Sequence, residues 1–176
     1  MSDRMFRMAN MAANESQKSE LEFKHGAVIF QGRKKICAGF NHNNRTTYRG
    51  NICCSLHAEM DTVVRFLNSY IKIHITRRQP DKIRRKMGKY SLCVVRITEQ
   101  PDGQQIYMNS LPCIDCIKKL KQLGIDKVIY SNQYFEIVSA RISRIEEELA
   151  GIVKLTNAMK KTQVIENMRI VPLIYL

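Results

Sequence analysis

Two short stretches bring together groups that could do chemistry as one unit: His57 and Glu59 in His57-Ala58-Glu59, and Cys113 and Cys116 in Pro112-Cys113-Ile114-Asp115-Cys116. One imidazole and two thiolates suit Zn²⁺. Three protein ligands leave the fourth tetrahedral position open to water, as a catalytic site needs and a closed structural site does not. A zinc ion lowers the pKa of water from about 16 to about 7. Glu59 needs no place among the ligands: two residues after His57, its carboxylate falls within one helical turn of the same centre and could carry protons there. His57, Cys113 and Cys116 are therefore the candidate metal ligands and Glu59 the candidate catalytic residue.

The elements that must position these groups follow from periodicity. From His57 to Tyr70, apolar residues recur at Met60, Val63, Val64, Leu67 and Ile71, the rhythm of an amphipathic helix. His57 and Glu59 then lie in its first turn, where backbone N–H groups lack helical partners. Cys113–Leu123 reads as a second helix closed by Gly124, and a Cys pair three residues apart faces one way on it. Two helix N-termini would converge on the metal, and their positive ends favour thiolates.

Around them, Met5–Glu22 reads as a first helix. His25–Phe30 and Ile36–Asn41 are apolar strands joined by the turn Gln31–Lys35. Residues 41–51 are a polar loop, Tyr90–Ile97 a β-branched strand, and Glu99–Gln105 a Pro-Asp-Gly turn leading into Ile106–Asn109. Asp126–Ser131 reads as a strand and Glu136–Ala150 as a helix. Arg169–Leu176 reads as an edge strand, since Pro172 is poorly tolerated in a central one. The expected architecture is a single α/β domain over residues 1–176, three-layered α/β/α with a mixed central sheet.

Composition limits the classes. At 176 residues and 44 % hydrophobic content the chain suits one folded domain rather than disorder. No apolar run is long enough for a membrane span and no signal-type segment opens the chain, so no membrane partner is expected. A reducing compartment is expected, in which the six Cys read as ligands or core residues rather than disulfides. Cys37 and Cys93 fall inside strands and Cys53-Cys54 just before the metal helix, all consistent with packing. His25, His42 and His74 have no partner at ligand spacing.

The net charge of +13 favours phosphorylated or polyanionic partners, although solubility alone explains it as well. The segment Lys72–Lys89 concentrates it: Lys72, Arg77, Arg78, Lys82, Arg84, Arg85, Lys86 and Lys89 stand against one acid, Asp81. It reads either as a solvated basic insertion or as a surface for phosphate or nucleic acid. Few aromatics interleave it, which disfavours stacking on single strands.

His-Ala-Glu followed by Pro-Cys-x-x-Cys, each opening a helix, resembles the cytidine/deoxycytidylate deaminase-like superfamily of zinc enzymes. The likeness runs from about Lys24 to Ser131. It implies a cytidine deaminase-like fold, a Zn²⁺ cofactor and a small-molecule nucleotide substrate. Asn41 (in Gly39-Phe40-Asn41), Ala58 and Ser110 become substrate-binding candidates. It also implies a homo-oligomer, since such folds often pair through a helix face. His rather than Cys before Ala-Glu sets the chain apart from the nucleoside-type enzymes. Leu111, where tRNA-adenosine and riboflavin-pathway groups commonly have Glu, disfavours those groups, and the absence of Trp disfavours the polynucleotide-acting group. The deoxycytidylate/cytidine type remains, often found in viruses and phages. Three functions stay open: a cytosine-nucleotide deaminase, a tRNA or single-stranded polynucleotide deaminase, and a catalytically silent binding or structural protein.

Overall fold

A computed structural model of the chain describes residues 3–43, 47–48, 51–52, 55–69 and 80–150. Helix α1 (Asp3–Ser16) is followed by the hairpin β1 (Lys24–Gln31) and β2 (Lys34–Phe40), then by a small ribbon, β3 (Thr47–Tyr48) and β4 (Asn51–Ile52). Helices α2 (Ala58–Ser69) and α3 (Pro80–Met87) lead to β5 (Tyr90–Glu99) and β6 (Gln105–Met108). Helix α4 (Ile114–Leu123), β7 (Lys127–Ser131) and β8 (Ile137–Arg141) follow, and helix α5 covers residues 142–150. The predicted tail strand 169–176, the first part of the basic segment and Cys53-Cys54 lie outside the described residues.

The main sheet has six strands in the order β2-β1-β5-β7-β8, with β6 also on β5. β5 is its spine. It pairs antiparallel with β1 along Tyr90–Ile97, parallel with β7 over Ser91–Val94 and antiparallel with β6 over Arg96–Glu99. Alternation along each strand divides the core in two. Ala27, Ile29, Leu92, Val94, Val128 and Tyr130 pack with Val63, Phe66, Ile117, Leu120, Ile142 and Ile145 of α2, α4 and α5. Val28, Phe30, Cys93, Val95, Ile129 and Ile137 face the other way, onto Met8, Ala9 and Ala12 of α1. The expected three-layer α/β/α arrangement with a mixed sheet is the one found.

The β1–β2 turn has two residues, and Gly32 takes its first position at φ 61°, an arrangement that matches the twist of paired strands. Two other glycines matter through what they leave out. A Cβ at Gly26 would lie 2.0 Å from the Ala12 carbonyl oxygen, and one at Gly39 would lie 2.7 Å from the Asp61 Oδ2 and from the Thr62 N and Oγ1. These positions let α1 and α2 press onto opposite faces of the hairpin.

Two predicted helices are corrected. The first ends at Ser16, not Glu22. The Ser16 hydroxyl donates to the Ala13 carbonyl and the Ser19 hydroxyl donates across to the Asn41 carbonyl, so side chains take over the bonding that would extend the helix. In the second, residues 136–141 are not helical. Asn132 Oδ1 accepts from the N–H groups of Tyr134 and Glu136, Phe135 takes φ 65°, and the chain reverses into β8 beside β7. The β-branched Ile137 and Val138 suit that strand, and the predicted helix survives only from residue 142. A short helix, α3, also occupies part of the basic segment.

The packing at Gly39 yields a prediction. Gly39→Ala should cost about 1–3 kcal/mol, because the new methyl meets backbone and a buried carboxylate rather than a flexible side chain. Chemical denaturation should show this as a lower midpoint with an unchanged slope. Wild-type stability would mean that α2 is not held against the hairpin this way.

Candidate metal centre and its cavity

The His57 carbonyl accepts the Asp61 N–H at 2.9 Å, the first hydrogen bond of α2, so His57 occupies the cap of that helix rather than its first turn. Cys113 caps α4 in the same way: its backbone is extended and its Sγ accepts from the Cys116 N at 3.5 Å. The two helix starts face each other. His57 Nδ1 lies 3.6 Å from the Cys113 Sγ and 3.4 Å from the Cys116 Sγ. Tetrahedral zinc, with bonds of about 2.0–2.3 Å, separates its ligand atoms by about 3.3–3.8 Å, so the three donors fit that ion. They are the only such donor group among the described residues.

Each half of the centre is held by its own framework. For α2, Thr62 Oγ1 donates to the Ala58 carbonyl at 2.7 Å and lies 3.1 Å from the Ala27 carbonyl in β1. Buried Asp61 accepts from the Phe40 N–H and from Arg65, and its other oxygen meets His42 at 3.3 Å, tying α2 to the end of β2. For α4, Ser110 is the fastening. It bonds the Val94 carbonyl and Ser131 Oγ through its hydroxyl, accepts from the Ser131 N–H, and gives its own N–H to the Ser131 carbonyl. The loop before Pro112 is thereby stitched to β5 and β7.

Electrostatics follow from this crowding. Hydrogen bonding to Cys116 and to His57 pulls the Cys113 thiol down to about 4, and the contact with Cys113 lifts His57 to about 9. The metal-free pair is therefore thiolate and imidazolium near neutrality. Cys116, bonded to Cys113 and buried, is pushed well above the usual thiol range. Burial raises Glu59 above ordinary carboxylates. Its carboxylate touches the Cys116 thiol and lies beside His57, outside the three-ligand set.

A cavity of about 510 Å³ opens onto the centre. Of the predicted residues, His57, Ala58, Glu59, Asn41, Ser110 and Cys113 line it, whereas Cys116 lies buried behind. Ser110 reaches the cavity with its hydroxyl already committed. Asn41 is fixed by donating to the Phe23 carbonyl at 2.6 Å and accepting from the His25 N–H at 2.8 Å. Sequence reasoning did not single out Leu21, Glu22, Phe23, His25, Asn43, Ser55 or Leu111 as walls. The first two stand in the segment expected to be helical and Phe23 just beyond it, and nothing in their spacing marks them.

The described part of the basic segment lies elsewhere. Arg84 packs on Gly124, at the end of α4 opposite to Cys113. Ten helical residues separate the two ends, about 15 Å. Cys37 is half-buried and Cys93 buried, and burial pushes the Cys93 thiol up to about 12. Both are packing residues, as expected.

The profile of the family described as "Cytidine and deoxycytidylate deaminase zinc-binding region" matches residues 1–132. The chain belongs to this family. Its fold is similar to that of a cytidine deaminase from Burkholderia pseudomallei (TM-score 0.54, 17 % identity, covering 82 % of this chain and 96 % of that one). It is also similar to the dCMP deaminase of cyanophage S-TIM5. The apo form gives a TM-score of 0.47 at 23 % identity, covering 75 % and 86 % of the two chains. The form complexed with dCMP and dUMP gives 0.47 at 20 %, covering 88 % and 94 %. No curated protein matches the sequence significantly. No described helix is long and apolar enough to cross a membrane.

Zinc uptake should release protons. Binding needs a neutral imidazole and two thiolates. At pH 7 His57, near 9, and Cys116, higher still, each give up a proton, while Cys113, near 4, has already lost its own. Affinity should therefore rise with pH by about a hundredfold per unit between pH 5 and 8. Chelator competition at several pH values measures this slope. A pH-independent affinity would contradict the ligand set.

Proposed function

We propose that the protein is a zinc-dependent hydrolytic deaminase of a cytosine-type nucleotide, replacing the amino group on the base with oxygen and releasing ammonia. The observation that carries this reading is Glu59, a buried carboxylate at the cavity wall beside the three ligands but not one of them. A purely structural zinc site has no use for such a group. His57, Cys113 and Cys116 would hold the ion, which when bound supplies an activated water.

The chain's own residues do the rest. Glu59 takes a proton from the attacking water and passes it to the ring nitrogen, then moves the remaining proton of the hydroxyl added to the ring carbon onto the amine, which leaves as ammonia as the carbonyl forms. Burial raises the Glu59 pKa above that of ordinary carboxylates, which makes it a better proton acceptor than an exposed one. The backbone at Ala58 and Ser110 borders the base, and Asn41, immobilised by Phe23 and His25, meets the sugar.

The net charge of +13 favours a second reading, deamination of a polynucleotide. Against it, the described cations of the basic segment, Arg84 to Lys89, do not line the cavity. They fit a separate anion-attracting surface better than a substrate channel.

Ammonia release from dCMP, CMP, deoxycytidine, cytidine and single-stranded DNA and RNA tests both. Zinc-loaded protein should turn over a monomer, and Glu59→Gln should lose about 10²–10⁴-fold in kcat with its zinc retained. Turnover of polymers only would select the second reading. Zinc binding with no turnover of any substrate would overturn both.

A further inference from the structure

We infer that His25 is a specificity residue of this cavity: its Nε2 accepts a hydrogen bond from a hydroxyl on the sugar of the bound nucleotide. The inference rests on the deaminase reading above and assigns the far wall of the same cavity.

His25 stands at the start of β1, on the strand face that also carries Ala27 and Ile29 and is covered by α2. It lines the cavity together with Asn41 and His57. Its Nδ1 lies 3.2 Å from the Phe23 carbonyl oxygen. A carbonyl only accepts, so Nδ1 carries the proton. A neutral imidazole has one N–H, which leaves Nε2 as a bare acceptor on the opposite side of the ring. The ring stays neutral: burial, with the Arg96 and His57 charges nearby, brings its pKa down to about 4. Arg96 is the cross-strand partner of His25 in β5 and stacks its guanidinium 4.2 Å over the Phe23 ring, so this cation is fixed in place. No described residue bonds Nε2.

His25 and Asn41 form one rigid unit. The Phe23 carbonyl takes both His25 Nδ1 and Asn41 Nδ2, and Asn41 Oδ1 takes the His25 N–H. The reacting end of the base must sit at Glu59 and His57, on the start of α2. The paired side chains on β1 and the end of β2 therefore meet the sugar. Nε2 can only accept, and a hydroxyl is what a sugar offers to an acceptor. A phosphate dianion has no proton to give and is not recognised by this group.

The test uses the zinc-loaded full chain and three substrates: CMP, dCMP and 2′,3′-dideoxy-CMP. Wild type should lose about tenfold in kcat/KM when the recognised hydroxyl is missing, the value of one good hydrogen bond. The step at which the loss falls names the hydroxyl. His25→Val should lose about tenfold on the hydroxylated substrate and nothing further on the analogue without it. His25→Gln, which offers a carbonyl oxygen, should recover most of the difference. Equal losses by His25→Val on all three substrates, or none, would overturn the inference. Calorimetric binding of the same nucleotides separates this outcome from failure of the deaminase reading. If no nucleotide turns over, a hydroxyl-dependent tenfold in affinity, present in wild type and absent in His25→Val, upholds His25. Its absence sinks it.

Discussion

The contact on which the site depends is the approach of α2 to the β1–β2 hairpin at residue 39. A side chain there would collide with Asp61 and Thr62, and its absence lets the helix lie directly on the strands. Thr62 then reaches the Ala27 carbonyl and Asp61 receives the Phe40 N–H, so the helix cannot slide or roll without leaving buried polar groups unpaired. His57, at the cap of this helix, and Glu59, in its first turn, inherit that rigidity. A centre made from residues far apart in sequence needs such fixed supports, because a displacement of one ångström matters to chemistry.

The other half is anchored differently. The Ser110 hydroxyl joins β5, β7 and the loop leading to Cys113, while Cys116, Ile117 and Leu120 pack α4 itself into the core. The parallel pairing of β5 with β7 sets where that loop begins. With both helix starts immobilised, the imidazole and the two sulfurs are pressed together before any ion arrives. The shifted pKa values of Cys113 and His57 express that crowding: each stabilises the charged form of the other. The structure thus pre-pays part of the cost of gathering ligands, at the expense of protons that must leave when metal binds.

The sequence makes the reactive residues legible because their chemistry is rare and their spacing is local: His-x-Glu and Cys-x-x-Cys each fit within one helical turn. The layers are legible because period-2 and period-3.6 patterns are strong in β1, β5, α2 and α4. What escapes is decided by side chain-to-backbone bonds. Ser16, Ser19 and Asn132 end or redirect the chain through single hydroxyl and amide contacts, which leave no periodic trace. For the same reason Leu21 and Glu22 read as a helix continuation when they are a cavity wall. Ile137 and Val138 fit both periods, and the tight turn at Asn132 chooses the strand. His25 carries no spacing signal, since its partner is a backbone carbonyl two residues away.

Among the described residues, the cations of the basic segment and the cavity are separated. The described cavity walls carry two acids, Glu22 and Glu59, and no Lys or Arg, while Arg84 of the basic segment packs at the other end of α4. With a Debye length of about 8 Å at physiological ionic strength, a patch about 15 Å away barely shifts equilibria inside the cavity. It acts instead on approach, raising the local concentration of anions near the surface. Inside the cavity the polar groups are short-range and of fixed polarity: a buried carboxylate, an amide locked by two backbone groups, and an imidazole whose tautomer is set by a carbonyl. Each of these reads a donor or an acceptor rather than a charge. Within the cavity the described geometry thus offers a hydrogen-bond pattern rather than a charge.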